Sequence, residues 1–259
     1  MRVWCKPVAV LCFFAAAIGA QAQTLRIAAA ADLQFAMNDL VSRYEKQSGV
    51  KATLTYGSSG NLQAQIENGA PFDLFFSADV QYPRRLISRG LADAQSLYIY
   101  SYGRLVLWAP AGANLRLNER GLAALKDARV MKIAIANPQH APYGKAAVAA
   151  LQKAGLYDEV KSKLVYGENI SQAAQFAESG NAQVGILALA LTFADSMQDG
   201  ERWEVPADLY PPLEQGAVLM NASTNKPAAR AFLEFVKSAE AREVLSKYGF
   251  SLSAPAKKP

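Results

Sequence analysis

The chain has 259 residues, 51% of them hydrophobic, with 27 Lys and Arg against 22 Asp and Glu and a net charge of +5. That composition can fill a real core, and a charge this mild, with no lysine-arginine cluster, argues against a nucleic-acid-binding surface. Beyond the first residues no stretch reaches eighteen consecutive apolar positions, so the sequence predicts no membrane span.

Residues 1–22 read as a cleavable secretory signal peptide. Arg2 and Lys6 make a basic start, Val8 to Ala17 is a short apolar run, and Ala20-Gln21-Ala22 is an A-x-A cleavage site. Its removal leaves about 237 residues with 25 basic against 22 acidic side chains, a net charge of +3. Cys5 and Cys12 leave with it, so the mature chain is expected to have no disulfide and no thiolate chemistry.

The mature chain alternates. Leu25 to Ala30 reads as a strand, and Met37, Leu40, Val41 and Tyr44 then mark a buried helix face that ends at Gly49. Ala52 to Tyr56 is a second strand, Leu62 to Glu67 a short helix, Asp73 to Ser77 a third strand and Tyr82 to Arg89 a third helix. A second cycle places strands at Arg104 to Ala109, Lys132 to Ala136, Leu164 to Tyr166 and Val184 to Leu187, with helices at Lys145 to Ala154 and Ser171 to Glu178. Gly216 to Met220 is again strand-like, and helices at Ala228 to Lys237 and Glu240 to Tyr248 close the chain. This rhythm predicts parallel α/β sheets in two units with no long linker, joined by short crossings near Tyr100 to Leu105 and Leu213 to Val218.

In open α/β sheets ligands bind beyond the carboxyl ends of strands, near helix N-termini. Four such turns stand out: Ala28 to Asp32, Gly57-Ser58-Ser59-Gly60, Asn137 to Gly144 and Gly167 to Ile170. Each also has a plain structural use, since serines and Asp32 before a helix serve as N-caps. What recurs is small or hydroxyl-bearing residues with little charge. Such turns offer N–H groups, hydroxyls and helix dipoles to an oxyanion without a charged partner.

Support for an enzyme is thin. His140, the sole histidine, reads as a surface residue of a proline-flanked loop. There is no G-x-S-x-G elbow, no P-loop and no metal-spaced cluster of His, Cys or carboxylates.

The same loops resemble the periplasmic molybdate-binding proteins that feed ABC-type importers. The carrying segments are AAAADLQFAMNDL (28–40), EKQSGVKATLTYGSSGNLQAQIENGAPFDLFFSAD (45–79), IANPQHAPYGKAAVAAL (135–151), QVGILALA (183–190) and FLEFVKSAEAREVLSKYGF (232–250). The resemblance covers nearly all of the mature chain and implies a hinged, two-lobed binding protein that closes on a tetrahedral dianion through neutral groups. Carried over by position, it implies N–H donors at Ala31 and Asp32, a hydroxyl at Ser59, Tyr143 from the third loop and the N–H of Ile170. In that reading Ser58 supports the turn, and Asp32 caps its helix and presents only its N–H.

Two positions depart from the family pattern. Many members place Ser or Thr in the first loop, where Ala31 and Asp32 stand here. One missing bond to a charged ligand costs about 1.5–3 kcal/mol unless water replaces it. Ala188 stands where some members have a tyrosine, and Tyr143 reads as the compensating hydroxyl.

The sequence thus predicts a type II-like α/β protein of two lobes, each a mixed, mostly parallel sheet flanked by helices and joined to the other by crossing strands. Lobe 1 comprises 23–103 plus 217–259, and lobe 2 comprises 104–216. The expected role is a monomeric, non-enzymatic periplasmic receptor without cofactor. It carries molybdate or tungstate to an ABC permease; the alternative is sulfate, phosphate or chromate.

Overall fold

The computed structural model describes residues 24–254, so the signal-peptide reading lies outside the described residues. The chain opens β1 (Leu25–Ala30), a 3-10 turn (Ala31–Leu33) and α1 (Gln34–Ser48), followed by β2 (Ala52–Gly57), α2 (Ser59–Glu67), β3 (Leu74–Ser77) and α3 (Gln81–Ser88). Then come β4 (Tyr98–Gly103), β5 (Leu105–Ala109), the short α4 (Leu117–Arg120), β6 (Ile133–Ala136), α5 (Pro142–Lys153), the short α6 (Tyr157–Val160), β7 (Leu164–Gly167) and α7 (Ile170–Glu178). The last elements are β8 (Val184–Ala188), β9 (Glu201–Glu204), β10 (Leu213–Leu219), α8 (Lys226–Val236) and α9 (Ala239–Lys247).

Two five-stranded sheets result, ordered β2-β1-β3-β10-β4 and β7-β6-β8-β5-β9. Both are mixed in the same way. β1 runs parallel to β2 and β3, and β6 parallel to β7 and β8, as strand-helix-strand units require. β10 and β5 pair antiparallel with both of their neighbours. Residues buried on both faces explain the near-continuous apolar strands Leu105–Ala109, Ile133–Ala136 and Val184–Ala188.

The chain crosses between the sheets twice. β4 passes into β5 through Arg104 alone, and Val205–Pro212 leads from β9 back to β10. β10 joins the first sheet from Leu213, which faces Gly103 of β4. The return therefore precedes the boundary at 217 that the sequence suggested, because Leu213–Gln215 already pair with Gly103–Ser101.

The lobes also share core. Ala30, Ala31 and Ala78 come from the first sheet, yet pack in one apolar cluster with Ala141, Tyr143 and Ile170 of the second lobe. Ala190 makes the reciprocal move into the first lobe's cluster. Their burial between two lobes, at 4% exposure or less, describes a closed cleft.

The first lobe is anchored by rings from distant parts of the chain. Phe232 on α8 meets Tyr44 of α1 edge-on at 5.0 Å and Phe76 of β3 at 6.0 Å. It is fully buried. Replacing Phe232 with Ala removes a large buried ring and leaves a cavity, so urea unfolding is expected to show a loss of about 3–5 kcal/mol. A loss below ~1 kcal/mol contradicts this packing account.

Candidate functional site

Four helix starts meet between the lobes. From the first lobe come the 3-10 turn that feeds α1 and the start of α2. The second lobe supplies α5 and α7. The first backbone N–H groups of any helix have no partner within it. Here they surround a small cavity of about 10 Å3, lined by Ala30, Ala31, Asp32, Gly57, Ser58, Ser59, Ala78, Ala141, Pro142, Tyr143 and Ile170. All five site residues read from the sequence lie in this lining, and so does Ser58.

The local sequence explains the convergence. Small residues at the strand ends let the backbones approach, and each helix start is organised. Ser58 caps α2 by accepting from the Asn61 N–H at 3.4 Å, and Asn169 caps α7 through the Gln172 N–H at 3.1 Å. Pro142 opens α5, where its missing N–H costs nothing. Gly60 is required by proximity, since a Cβ there would stand 2.6 Å from the His140 carbonyl oxygen. Its N–H instead donates to that oxygen at 2.9 Å, across the cleft.

The Ser59 hydroxyl is fully buried and accepts from the Ala78 N–H at 3.0 Å, which leaves its own proton free for a ligand. Ser58 does support the turn, and its Oγ also lies 2.8 Å from His140 Nδ1. His140 is therefore no detached surface residue, as the sequence suggested, but a bridge between lobes, with a side chain only 18% exposed. Further ties cross the cleft nearby. The Asn61 amide donates to Glu168, Lys145 to the Tyr82 hydroxyl at 3.0 Å, and the Ser171 hydroxyl to the Ala31 carbonyl at 3.0 Å.

Asp32 departs from expectation. The N-cap position of its 3-10 turn belongs to Ala30, and Asp32 stands inside the turn. Oδ2 instead accepts from Gln215 Nε2 at 2.6 Å and from the Tyr143 hydroxyl at 3.0 Å, donors that a buried carboxylate needs more than a turn does. Gln215 is held in turn by the Ser101 hydroxyl at 2.9 Å. The Tyr143 hydroxyl thus spends its single proton on Asp32 rather than on the cavity, which corrects its reading as a compensating donor. Oδ1 is buried without a hydrogen-bond partner, while the nearby N–H groups of Asp32 and Leu33 help to lower the pKa of the carboxyl.

Burial pushes the Asp32 carboxyl up to about 6, partly offset by the bonds from Gln215 and Tyr143. The Tyr143 and Tyr100 hydroxyls are raised well above the ordinary phenol, mostly by burial and then by the Asp32 charge. Gln215 escaped the sequence reading because it sits in a crossing strand and in no motif. Its only sequence signal was a polar residue inside an apolar strand, next to Gly216.

Among the lining residues Asp32 is the sole charged side chain, and no Lys or Arg joins it. A wider surface cleft of about 540 Å3, lined by Gln34, Phe35, Ser171, Glu178 and Asp195 among others, adds two carboxylates and no Lys or Arg. It is a poorer seat for an anion. Among the described residues no group of three or more His, Cys, Asp or Glu is placed to hold a metal ion.

Residues 25–251 match the model of the family described as bacterial extracellular solute-binding protein. The chain belongs to that family. Within it, the chain is 40% identical over 237 residues to the molybdate-binding protein ModA of Azotobacter vinelandii, covering 91% of this chain and 93% of the relative. It is 38% identical over 234 residues to ModA of Rhodobacter capsulatus, covering 90% of each. The solved periplasmic molybdate-binding protein of A. vinelandii superposes with a TM-score of 0.83 at 33% identity, over 88% of this chain and 99% of that one. The solute-binding fold therefore stands on both sequence and structure.

A raised carboxyl favours the folded state below its unfolded value near 4 and loses that contribution as pH rises through about 6. Asp32→Asn removes this titration. In urea unfolding of the anion-free protein, the variant is expected to gain roughly 2–3 kcal/mol relative to the wild type between pH 4 and pH 7. A difference that stays flat with pH contradicts the buried carboxylate described here.

Proposed function

We propose that this protein captures molybdate or tungstate in the periplasm, as a monomer, and delivers it to the membrane subunits of an ABC-type permease. It works by binding and lobe closure rather than by catalysis. The observation that carries this reading is the ring of four helix N-termini, two from each lobe, around a closed cavity without a cation. Such a ring places partial positive charge and N–H donors on all sides of an anion. The named relatives and the solved neighbour bind molybdate, and the chain spans almost their whole length.

In this reading the N–H groups of Ala31, Asp32 and Ile170 hold the anion with the Ser59 hydroxyl, and Tyr143 walls the cavity and steadies Asp32. A dianion exchanges its water for fixed donors that close over it, and bonds to charged groups in a dry site are strong. Sulfate and molybdate share charge and shape, so discrimination rests on the fit of the larger anion to the cavity. The mature chain would divide into lobes hinged at Arg104 and at the segment before Leu213.

Parallel titration with molybdate, tungstate, sulfate and phosphate tests the reading. Molybdate or tungstate at a hundredfold excess over its dissociation constant is expected to stabilise the protein by about 2.7 kcal/mol by mass action, with sulfate and phosphate far behind. Tighter phosphate or sulfate binding contradicts it. Ser59→Ala removes one donor to a charged ligand, so molybdate affinity is expected to fall roughly ten- to hundredfold with the fold retained by circular dichroism. An unchanged dissociation constant removes Ser59 from the ligand set.

A further inference from the structure

A buried carboxylate in the wall of an anion cavity is a contradiction unless something resolves it. Asp32 is 1% exposed, lines the cavity and has no cation beside it among the lining residues. Two donors satisfy Oδ2, while Oδ1 is buried without a partner. A dianion placed in this cavity faces that carboxylate across a low-dielectric space, where like charges repel strongly. The Tyr143 proton cannot relieve both groups at once, because it already serves Oδ2.

We infer that the anion enters this cavity together with one proton, shared between Asp32 and the nearest anion oxygen. The proton comes from solvent and turns the repelling pair into a hydrogen bond. Whether it resides on Oδ1 or on the ligand, the bound complex carries one negative charge fewer than a bare dianion beside a bare carboxylate. This rests on the oxyanion-receptor reading and adds to it: Asp32 makes capture depend on proton supply and favours anions that accept or carry a proton.

The surroundings leave Asp32 as the group that responds. Tyr143 from α5 and Tyr100 from β4 face it and stay neutral. Gln215 from β10 is uncharged, and α7 meets the turn through Ile170 and Ser171. The segment 189–193 packed on the turn holds no ionisable residue. Along its own helix the first charged side chain is Asp39, paired with Arg43. His140, Glu168, Lys145 and Asp79 flank the lining, and each bonds elsewhere than Asp32: His140 to Ser58, Glu168 to Asn61, Lys145 to Tyr82 and Asp79 to the Gln81 N–H.

The test is calorimetric titration of the protein with sodium molybdate between pH 6 and pH 8, each pH in two buffers of different ionisation enthalpy. With the free carboxyl at about 6, uptake is expected to approach one proton per anion at pH 8, and affinity to fall about tenfold per pH unit above about 6. Asp32→Asn is expected to abolish both effects, and His140→Gln to leave the proton uptake in place. Molybdate binding without proton uptake by the wild type at pH 8 overturns the inference alone, whether or not Asp32→Asn folds. Uptake that persists in Asp32→Asn, or that vanishes in His140→Gln, overturns it too. Absence of molybdate binding at every pH overturns the receptor reading itself.

Discussion

In the proposed function the whole arrangement answers to one constraint, the burial of a multiply charged anion without a cation. Moving such an ion out of water is prohibitive unless fixed dipoles replace the hydration shell. One helix start cannot surround an ion, and four can, provided that their backbones come close. That explains the run of alanines from Ala28 to Ala31, the glycines at 57 and 60, and Ala78 in place of larger residues. It also explains the two lobes, since donors must converge from opposite sides and still let the ion in. Two similar mixed sheets, each presenting two helix starts at the ends of parallel strands, meet both demands.

Closure combines the small apolar residues shared between the lobes with a set of polar ties. Gly60 to His140, Ser58 to His140, Ser171 to Ala31 and Tyr143 to Asp32 each join one lobe to the other. Each is worth about 1 kcal/mol net. Such ties fit a cleft that must reopen, because a large apolar interface would hold it shut. Gly103 belongs to this geometry, since any Cβ there would collide with the Tyr143 hydroxyl and the Gln215 amide. The hinge strand and the lock beneath the cavity are thus built from the same few residues.

Much of this was legible in the sequence. β1 was bounded correctly because apolar residues run up to a helix-starting turn, and the periodic face of α1 ends at Gly49, which takes the left-handed conformation that such a stop favours. The five proposed site residues, carried over by the resemblance, meet in one cavity because each sits where a strand turns into a helix or in that helix's first turn. β4 was read only as a crossing near Tyr100 to Leu105, and β9 went unread. Tyr98–Gly103 mixes tyrosines with Ser and Gly, and Glu201–Glu204 is an exposed edge strand of charged residues, so neither carries an apolar signal. The role of Asp32 was read wrongly for a different reason. A cap and a buried acceptor begin from the same backbone position, and only partners distant in sequence, Tyr143 and Gln215, decide where the carboxylate turns.

The central claim is that neutral donors from helix starts, and no cationic side chain, surround the ligand. A crystal structure of the molybdate complex at high resolution tests it most directly. The account predicts the anion between the lobes, its oxygens about 2.7–3.1 Å from the N–H groups of Ala31, Asp32 and Ile170 and from the Ser59 hydroxyl. An anion seated in another cleft, or held in this one by an arginine or lysine, would contradict it.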